Sequence, residues 1–448
     1  MSTTPTPLPP LATSLIERFN RRTATIGVVG LGYVGLPLVR ALHDAGFTVV
    51  GYDIDPRKIE LLSRGESYLK HLGEDLTRTL AASPRFSASC DENALRACDA
   101  IVLCVPTPLG KHQEPDLSYV ESSAAMVARV LRPGMLVSLE STSYPGTTRE
   151  VCLPPLQSSG LVCGQDFFLA FSPEREDPGR TGLETRTIPR LVGGLDPASG
   201  QVAAAMYRAA IDRVELVETA EIAEAAKLLE NIYRAVNIAL VNELKPVLAD
   251  MGIDIWKVIR AAATKPFGFQ PFYPGPGLGG HCIPIDPYYL TYKAREYGHS
   301  TRFIELAGEI NHRMPRYVVD RLAEALNADG KALKNARILV LGIAYKPNID
   351  DIRETPAAEI IELLHDRSAT VSYHDPHVPQ FPSMRKYRID LRSVPLSPDE
   401  LRAADAVLIV TDHAAVDYTL VGQHARLVVD TRDAMTRALT PRARIVKA

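Results

Sequence analysis

The sequence predicts an α/β fold with two doubly wound sheets, each typical of a Rossmann-like domain, joined by a long central helix. Short apolar, strand-like runs alternate with helical periods from residue 25 to about residue 212, and the same alternation starts afresh at residue 337. Alternation of this kind is typical of parallel sheets with crossover helices. Between the two regions, residues 219–250 are rich in Ala, Leu, Glu and Asn and show no strand signal, which predicts one long helix.

The first α/β domain is predicted to span residues 23–212, after a tail and a short helix in residues 1–22. The first ten residues are rich in Thr and Pro, which is typical of a disordered tail, and a helix is expected at about residues 11–20. Apolar runs bounded by turn residues predict the strands that follow. These predicted strands are residues 25–29, 48–52, 99–105, 135–139 and 167–171.

A central helical domain is predicted over residues 213–325. Its long helix would span roughly 45 Å at 1.5 Å per residue, which is more than a single small domain needs. We therefore expect this helix to bridge domains or to form the interface of a homodimer. A second α/β domain is predicted over residues 326–448, from apolar runs at residues 337–342, 369–373, 406–410 and 426–430.

Composition and charge exclude several classes of function. The 50 Lys and Arg residues nearly balance the 53 Asp and Glu residues, so the chain lacks the positive surplus that non-specific binding to nucleic acid needs. The six cysteines form no Cys-x-x-Cys pair, so neither a metal site nor a secreted disulfide framework is indicated, and a cytoplasmic location is expected. No uninterrupted apolar run approaches 18 residues, so no membrane span is expected.

A glycine-rich turn predicts a dinucleotide site. Residues 30–35 read Gly-x-Gly-x-x-Gly, follow the first predicted strand directly and open the first helix, and Asp53 ends the second strand. Glycines at these positions let the backbone approach a pyrophosphate, and the acid accepts hydrogen bonds from the ribose and repels a 2′-phosphate. The pattern therefore favours NAD, and a turn that merely packs helix on strand is the alternative. Lys58 either faces the adenosine or is an exposed helix lysine. The predicted cofactor residues here are Gly30, Gly32, Tyr33, Val34, Gly35, Asp53 and Lys58.

Polar residues follow three further predicted strands. Thr107 follows the predicted strand at residues 99–105, Thr142 the one at 135–139 and Glu174 the one at 167–171. Ligands bind at this carboxyl edge in open α/β sheets. For Thr107, a turn without a ligand is the alternative. For Glu174, the alternative is a surface loop of ion pairs, since residues 174–177 are all charged.

Two polar residues of the long helix share one face. Lys227 and Asn231 are four residues apart, so both side chains can reach into one cleft. A lysine there can stabilise an oxyanion or a thiolate. The alternative is an ordinary ion pair of Lys227 with Glu224, three residues earlier on the same helix.

Cys282 is the candidate nucleophile of the chain. It lies in a glycine-rich loop that includes Gly279, with His281 beside it and Asp286 four residues later. Glycines permit positive φ and remove side-chain bulk, so such a loop can press its backbone against a ligand and present one sulfur to it. The alternative is an inert buried thiol.

Taken in order, these motifs resemble the UDP-glucose/GDP-mannose dehydrogenase family over residues 26–432. The family pattern joins the Gly-x-Gly-x-x-Gly turn, a Glu-Ser-Thr turn, a Pro-Glu loop, Lys-x-x-x-Asn on a central helix, Gly-Gly-x-Cys-x-x-x-Asp, and a later Lys with Arg. The matching residues are 30–35, 140–142, 173–174, Lys227, Asn231, 279–286, Lys346 and Arg353.

The resemblance implies an oxidoreductase that converts the C6 hydroxyl of a UDP-sugar to a carboxylate and uses two NAD molecules in succession. It implies that Cys282 attacks the intermediate aldehyde, so that a thiohemiacetal and then a thioester form on its sulfur. Such an acid would serve as a precursor for surface polysaccharide.

The resemblance also assigns roles to the polar residues. Lys227 and Asn231 would stabilise the developing oxyanion. Asp286 and Thr142 would order a water and relay protons, and Glu174 would be the general base of thioester hydrolysis.

The second α/β domain would then hold the UDP group. Cations suit a diphosphate, and the resemblance places Lys346 near the substrate and Arg353 near both cofactor and substrate. Phe272 and Tyr273 would line the sugar or uracil pocket, with core packing as the alternative. The residues expected to bind substrate are Glu174, Lys227, Asn231, Phe272, Tyr273, Gly279 and Lys346; Thr107, Thr142 and Arg353 are added to the cofactor residues.

The substrate suggested by the motifs is UDP-N-acetyl-D-glucosamine. Ile285 stands where the glucose-specific branch commonly has a lysine, and residues 171–179 and 277–287 are most similar to the branch that acts on this sugar. UDP-GalNAc, UDP-ManNAc and UDP-glucose are the alternatives, since a single hydroxyl contact decides between epimers. Two other readings are a two-electron hydroxyacid-type dehydrogenase, which needs no cysteine, and a silent nucleotide-sugar-binding protein.

Overall fold

The computed structural model describes residues 7–69, 73–110, 112–175, 185–280, 283–384 and 386–448. The chain divides into two compact units. The first contains residues 1–230 and 288–299, and the second contains residues 231–287 and 300–448.

The first unit is built on an eight-stranded sheet of order β3-β2-β1-β4-β5-β6-β7-β8. Every neighbouring pair is parallel except β6 and β7, which are antiparallel, so the purely parallel pattern expected from the sequence ends at β6. The strands are β1 (Thr25–Val29), β2 (Thr48–Tyr52), β3 (Phe86–Ser89), β4 (Ala100–Leu103), β5 (Leu136–Leu139), β6 (Phe168–Phe171), β7 (Arg190–Gly194) and β8 (Val214–Val217).

Helices cover this sheet and close its core. Buried side chains of the first helix, such as Phe19, pack into one continuous apolar cluster with the strands, and the rings of Phe19 and Phe47 meet edge to face. The helices of this part are α1 (Pro10–Asn20), α2 (Gly35–Asp44), α3 (Pro56–Ser63), α4 (Glu74–Ala81), α5 (Ser118–Val130), α6 (Leu153–Gln157) and α7 (Pro197–Arg208).

Capping residues begin several of these helices where the sequence places them. The Asp55 carboxylate accepts a hydrogen bond from the Arg57 N–H at the start of α3, and the Asp196 carboxylate accepts one from the Ser199 N–H at the start of α7. In both helices a proline follows the cap, where its missing N–H has no helical partner to lose. Local sequence chemistry therefore sets these helix starts.

The long central helix, α8 (Ala220–Asp250), is present as predicted. Pro246 lies inside it, and the prediction of the helix from its content of Ala, Leu, Glu and Asn did not consider this proline. A row of apolar side chains along the helix is exposed in the single chain: Leu229, Tyr233, Leu240, Leu244 and Val247. This stripe follows the spacing of a helix face that packs against another helix.

The second unit contains a five-stranded parallel sheet of order β10-β9-β11-β12-β13. Apolar clusters lie on both faces of this sheet, so the second doubly wound sheet is confirmed. Its strands are β9 (Arg337–Leu341), β10 (Thr370–His374), β11 (Ala406–Ile409), β12 (Leu427–Asp430) and β13 (Arg444–Lys447). The remaining helices are α9 (Ile255–Ala262), α10 (Asp286–Glu296), α11 (Arg302–Ala328), α12 (Pro356–Asp366), α13 (Pro398–Ala403) and α14 (Tyr418–His424).

A smaller apolar cluster in the second unit surrounds Trp256. The indole is buried and packs with apolar residues of α8 and α9. The Lys245 ammonium lies 5.4 Å from its ring and the Lys447 ammonium 5.0 Å. Burial and the nearby Arg432 cation lower the pKa of Lys245 to about 7.

Among the described residues, no helix is long and apolar enough to cross a bilayer.

Candidate active site

Different physical causes explain why glycine stands at the three positions of the first turn. Gly30 has φ +93°, and a Cβ there would lie 2.4 Å from the Cys104 carbonyl oxygen; a Cβ on Gly35 would lie 1.9 Å from the Gly30 oxygen. These two glycines are therefore required by the fold alone. A Cβ on Gly32 would meet no atom of the described residues within 4 Å, so this glycine leaves open space where a pyrophosphate can approach the backbone. Tyr33 and Val34 are partly buried against the apolar core.

Asp53 lies beside this turn with its carboxylate held by three donors. It accepts hydrogen bonds from the Leu31 N–H (2.9 Å), the Asp55 N–H (3.0 Å) and the Lys58 ammonium (2.7 Å). The Tyr68 hydroxyl donates to the Leu31 carbonyl oxygen at 2.5 Å. Asp53 and Lys58, both predicted from sequence, thus form one polar group at the glycine turn, and the Lys58 partner is a flexible side chain that is 31% exposed.

The predicted threonines follow neighbouring strands. Thr107 is buried after β4, and Thr142 is partly buried after β5. The Ser141 hydroxyl joins the two strand ends: it accepts from the Val105 N–H at 2.9 Å and donates to the Val105 carbonyl oxygen at 2.7 Å. Both threonines therefore lie at the carboxyl edge, where ligands bind in such sheets.

Glu174 belongs to a buried network of charges. Arg190, at the start of β7, donates to Glu140 at 2.5 Å and to Glu174 at 3.3 Å. The Tyr207 hydroxyl donates to the same Glu140 oxygen at 2.7 Å and lies 2.9 Å from the Ser138 hydroxyl. Glu174 is only 14% exposed and is thus no ordinary surface residue, although the neighbouring Arg175 does form an ion pair with Glu230.

Arg190 and Tyr207 were not predicted from the sequence. The signal for Arg190 is one charge at the head of an otherwise apolar run, which implies a buried cation with a partner. Burial raises the pKa of Glu140 from 4.5 to about 7; the Arg190 cation opposes this rise and the Glu174 carboxylate adds to it. Burial and the Glu140 charge raise the pKa of Tyr207 well above its ordinary value.

Lys227 is buried, and its ammonium donates to the Glu174 carbonyl oxygen at 2.5 Å. The alternative of an ion pair with Glu224 is therefore not what the structure shows. Glu224 instead accepts from the Gly146 N–H (2.6 Å), the Thr148 N–H (2.9 Å) and the Thr148 hydroxyl (2.6 Å). Burial raises the pKa of Glu224 to about 7 despite these donors.

In the second unit, the Asn231 side-chain amide donates to the Asp286 carboxylate at 2.5 Å. Asp286 is buried at the first position of α10, where a carboxylate also interacts favourably with the helix dipole. Asn231 lies one helical turn after Lys227 on α8. Cys282 and the neighbouring His281 lie outside the described residues.

The glycines before the cysteine pack against the protein itself. A Cβ on Gly279 would lie 2.5 Å from the Tyr345 Cβ, and one on Gly280 would lie 3.0 Å from the Tyr345 ring. The Gly280 N–H donates to the Arg353 carbonyl oxygen at 3.1 Å. Gly277 and Gly280 have φ values of +135° and +93°. The glycine-rich loop is therefore fitted closely onto residues 345–356, a reason for the glycines that the sequence did not reveal.

The two predicted cations of the second unit lie in that same segment. Arg353 donates to both oxygens of the Asp351 carboxylate, with its Nη2 at 2.7 Å. Lys346 is partly buried. This segment therefore brings a paired arginine and a lysine next to the glycine-rich loop.

The predicted aromatic residues divide into two kinds. Phe272 packs against the cluster around Trp256, and its ring lies 5.6 Å from that of Tyr233. Tyr273 is 49% exposed. The contacts of Phe272 are those of the core-packing alternative, and a role for either residue in substrate binding stays a prediction.

Three comparisons place this arrangement among known proteins. Residues 24–211 match the NAD binding domain of the UDP-glucose/GDP-mannose dehydrogenase family, residues 221–313 its central domain and residues 339–437 its UDP binding domain. The chain belongs to this family. UDP-N-acetyl-D-glucosamine 6-dehydrogenase of Pseudomonas aeruginosa is 36% identical over 87% of this chain and 90% of the relative. NDP-N-acetyl-D-galactosaminuronic acid dehydrogenase of Ralstonia nicotianae is 34% identical over 91% and 95%.

A solved structure of the family shows the same fold. The UDP-D-ManNAc dehydrogenase of Pyrococcus horikoshii aligns with a TM-score of 0.83 and 32% identity, over 94% of this chain and 99% of that one. As a member of the family, the chain is an NAD-dependent dehydrogenase. The residues present fit NAD, because the open space over Gly32 and the carboxylate of Asp53 meet at one turn of the first unit.

Proposed function

We propose that this enzyme oxidises the C6 hydroxyl of a UDP-N-acetylhexosamine, with UDP-N-acetyl-D-glucosamine as the substrate, to a carboxylate for surface polysaccharide synthesis. The observation that carries the proposal is the hydrogen bond from the partly buried Asn231 to the buried Asp286. Asp286 follows Cys282 by four residues in the sequence. A two-electron dehydrogenase needs neither the cysteine nor this fixed carboxylate.

The first stage is oxidation of the alcohol to an aldehyde. NAD supplies the hydride acceptor in each of the two oxidations. Lys227 and Asn231 provide a cationic donor and an amide donor for the oxygen on which negative charge develops. Cys282 then adds to the aldehyde carbon as a thiolate, and the alkoxide of the thiohemiacetal takes up a proton.

Oxidation of this thiohemiacetal leaves a thioester on Cys282, and hydrolysis follows. Water adds to the acyl carbon, the carbon–sulfur bond breaks, and the thiolate leaves while the new carboxylic acid forms. We assign the uptake of the proton from water to Glu174, with Asp286 and Thr142 ordering the water and relaying protons. The Asn231 hydrogen bond supports this role for Asp286, since it holds one carboxylate oxygen in a fixed direction.

The UDP group is assigned to the second unit. Lys346 is proposed to contact the diphosphate, Gly279, Phe272 and Tyr273 to line the sugar or uracil pocket, and Arg353 to lie near both ligands. UDP-GalNAc, UDP-ManNAc and UDP-glucose remain the competing substrates, because epimers differ by a single hydroxyl contact.

The decisive experiment is a substrate panel with a count of NADH. UDP-GlcNAc, UDP-GalNAc, UDP-ManNAc and UDP-glucose are each incubated with NAD, and the NADH formed per sugar is measured. Two NADH per UDP-GlcNAc, with that sugar the best of the four, is the expected result. One NADH per sugar with fully active Cys282→Ala would establish the two-electron alternative. Tight binding of NAD and UDP-sugars without any NADH would establish the silent binding protein.

We also propose a homodimer formed through α8, with the domain boundaries and cytoplasmic location expected from the sequence. The exposed apolar stripe on α8, which includes Leu240 and Leu244, supports such an interface because burying an apolar helix face against a second chain removes it from water. Light scattering should give the mass of a dimer for the native chain and of a monomer for Leu240→Asp.

A further inference from the structure

The Glu140, Arg190 and Glu174 side chains form a charge cluster whose composition is unusual. Glu140 follows β5 and has no exposed side-chain surface, Arg190 begins β7 and is 5% exposed, and Glu174 follows β6. One guanidinium therefore serves two carboxylates. In a low-dielectric interior an ionised carboxylate is costly unless a cation lies close to it, so both acids depend on the position of Arg190.

The geometry of Arg190 links the two carboxylates through one rigid group. Its Nη1 donates to Glu140 at 2.5 Å and its Nη2 to Glu174 at 3.3 Å. Because the guanidinium is planar, the position of the first hydrogen bond fixes the direction of the second. The guanidinium also lies 5.0 Å from the Tyr207 ring centre, so its plane is held from a further side.

Three further side chains surround the Glu140 carboxylate or its hydrogen-bond partner. The Tyr207 hydroxyl of α7 donates to Glu140, the Ser138 hydroxyl of β5 lies against that hydroxyl, and the Cys104 thiol after β4 lies 4.0 Å from the other Glu140 oxygen. Lys227 of α8 reaches only the main chain of Glu174, at its carbonyl oxygen. The Arg190 cation therefore faces the Glu174 carboxylate and is shared with Glu140.

We propose that Arg190 and Glu140 are positioning residues for Glu174: Arg190 orients the carboxylate for proton uptake during thioester hydrolysis, and Glu140 sets how much of the Arg190 charge Glu174 experiences. This inference rests on the proposed function, in which Glu174 is the base of that step. Neither residue touches the reacting atoms in this scheme. Glu140 can hold a proton near neutral pH, since burial raises its pKa to about 7, so the charge balance of the cluster changes around that pH.

The test separates hydrolysis from oxidation in the full-length enzyme with NAD and UDP-GlcNAc. We expect Arg190→Gln to release two NADH per active site in the first turnover, to accumulate a sugar acyl group on Cys282 by intact mass, and to lose about 100-fold in steady-state rate. Arg190→Lys, which keeps the charge without the fork, should recover part of the rate. Arg175→Gln is the matched control, because Arg175 lies beside Glu174 in sequence but pairs with Glu230; it should show no acyl accumulation.

The pH profile of Glu140→Gln gives a second, independent readout with an isosteric change. Below about pH 7 Glu140 is already neutral in the native enzyme, so the glutamine should have little effect there. Above about pH 7 the native Glu140 charge shares the Arg190 cation with Glu174, and Glu140→Gln should abolish the change in hydrolysis rate that accompanies this ionisation, while KM for the sugar stays unchanged. This variant decides the matter even where Arg190→Gln does not fold.

The outcomes distinguish this inference from the function beneath it. If the native enzyme forms one NADH per sugar, the proposed function fails and the inference with it. If the native enzyme forms two, while Arg190→Gln and Glu140→Gln hydrolyse the acyl group at the native rate with an unchanged pH profile, the function stands and the positioning role is overturned.

Discussion

The first strand of each sheet leads into the same kind of turn. The Gly30 N–H donates to the Tyr52 carbonyl oxygen, and the Gly342 N–H donates to that of His374. Both glycines have positive φ, and a Cβ on Gly342 would lie 2.2 Å from the Thr411 carbonyl oxygen, much as one on Gly30 would strike that of Cys104. The same type of glycine turn therefore follows the first strand of both sheets.

The aspartate at the end of the second strand shows how the two turns differ. Asp53 accepts two backbone N–H groups, of which one belongs to the turn, and the partly exposed Lys58 ammonium. Asp375 accepts the N–H groups of Ile343 and Ala344, two further backbone N–H groups, and the fully buried His413 at 3.0 Å. The carboxylate of the first sheet lies beside the open space over Gly32, whereas the equivalent carboxylate of the second sheet is held by its own loops and a buried histidine.

Among substitutions that test this comparison, Asp375→Ala is expected to have the largest effect on the free energy of unfolding. Asp375→Ala leaves a buried histidine and four N–H groups without their acceptor and should lower the free energy of unfolding by about 3–5 kcal/mol. Asp53→Ala should cost less stability but weaken NAD binding by about 10- to 100-fold. Calorimetry measures both quantities; a larger stability loss for Asp53→Ala than for Asp375→Ala would break the comparison.

The glycines of the first turn give the next effect. Gly30→Ala meets a carbonyl oxygen and a positive φ, so we expect a loss of about 3 kcal/mol in the free energy of unfolding. Gly32→Ala meets open space and should change that free energy by less than about 0.5 kcal/mol, while weakening NAD binding. Urea denaturation and a cofactor titration on each variant test this, and equal stability losses would remove the argument for a ligand at Gly32.

The pH dependence of stability should differ in sign between the two units. The pKa values of Glu140 and Glu224 are raised to about 7, so the folded first unit binds extra protons between about pH 4.5 and 7. The contribution of these protons to the free energy of unfolding is fully present below that range and is lost as the pH rises through it. The lowered pKa of Lys245 means that the second unit gains stability as the pH rises above about 7.

We expect each change to be about 1–3 kcal/mol. Hydrogen exchange of peptides from each unit, corrected for the intrinsic rates, measures the two trends separately. Glu140→Gln should flatten the trend of the first unit and Lys245→Met that of the second. Parallel trends in both units would contradict the assignment of these groups.

The smallest effect is expected at Lys58. Its ion pair with Asp53 is partly exposed, so Lys58→Met should change the free energy of unfolding by less than about 1 kcal/mol. His413→Ala, which removes the counterpart of Lys58 in the second sheet, is the matched comparison and should cost more because that pair is buried. Thermal denaturation of both variants settles the order.

The strands whose patterns are continuous could be predicted from the sequence, because buried parallel strands are short apolar runs. The confirmed strands β1 and β2 have the predicted bounds. The edge strands β3 and β8 were missed since their side chains are half-exposed and mixed in polarity, and β7 was missed because it ends in Gly193 and Gly194. Propensity is a weak guide where tertiary pairing decides.

The polar groups of the site were predictable only where a local motif carries them. Lys227 and Asn231 share a helix face, and Asp53 follows a strand, so spacing alone indicates them. Arg190 meets Glu140 from 50 residues away in sequence, and no periodicity reports such a pairing. The packing of Gly279 on Tyr345 is likewise a tertiary fact.

The position of Trp256 supplies a built-in optical probe. It is the single tryptophan of the chain and lies in the second unit, so its emission follows the unfolding of that unit alone. The five described cysteines all lie in the first unit, three of them buried. In a Cys282→Ser background, thiol labelling of the three buried cysteines would therefore follow the unfolding of the first unit, while Trp256 fluorescence follows that of the second.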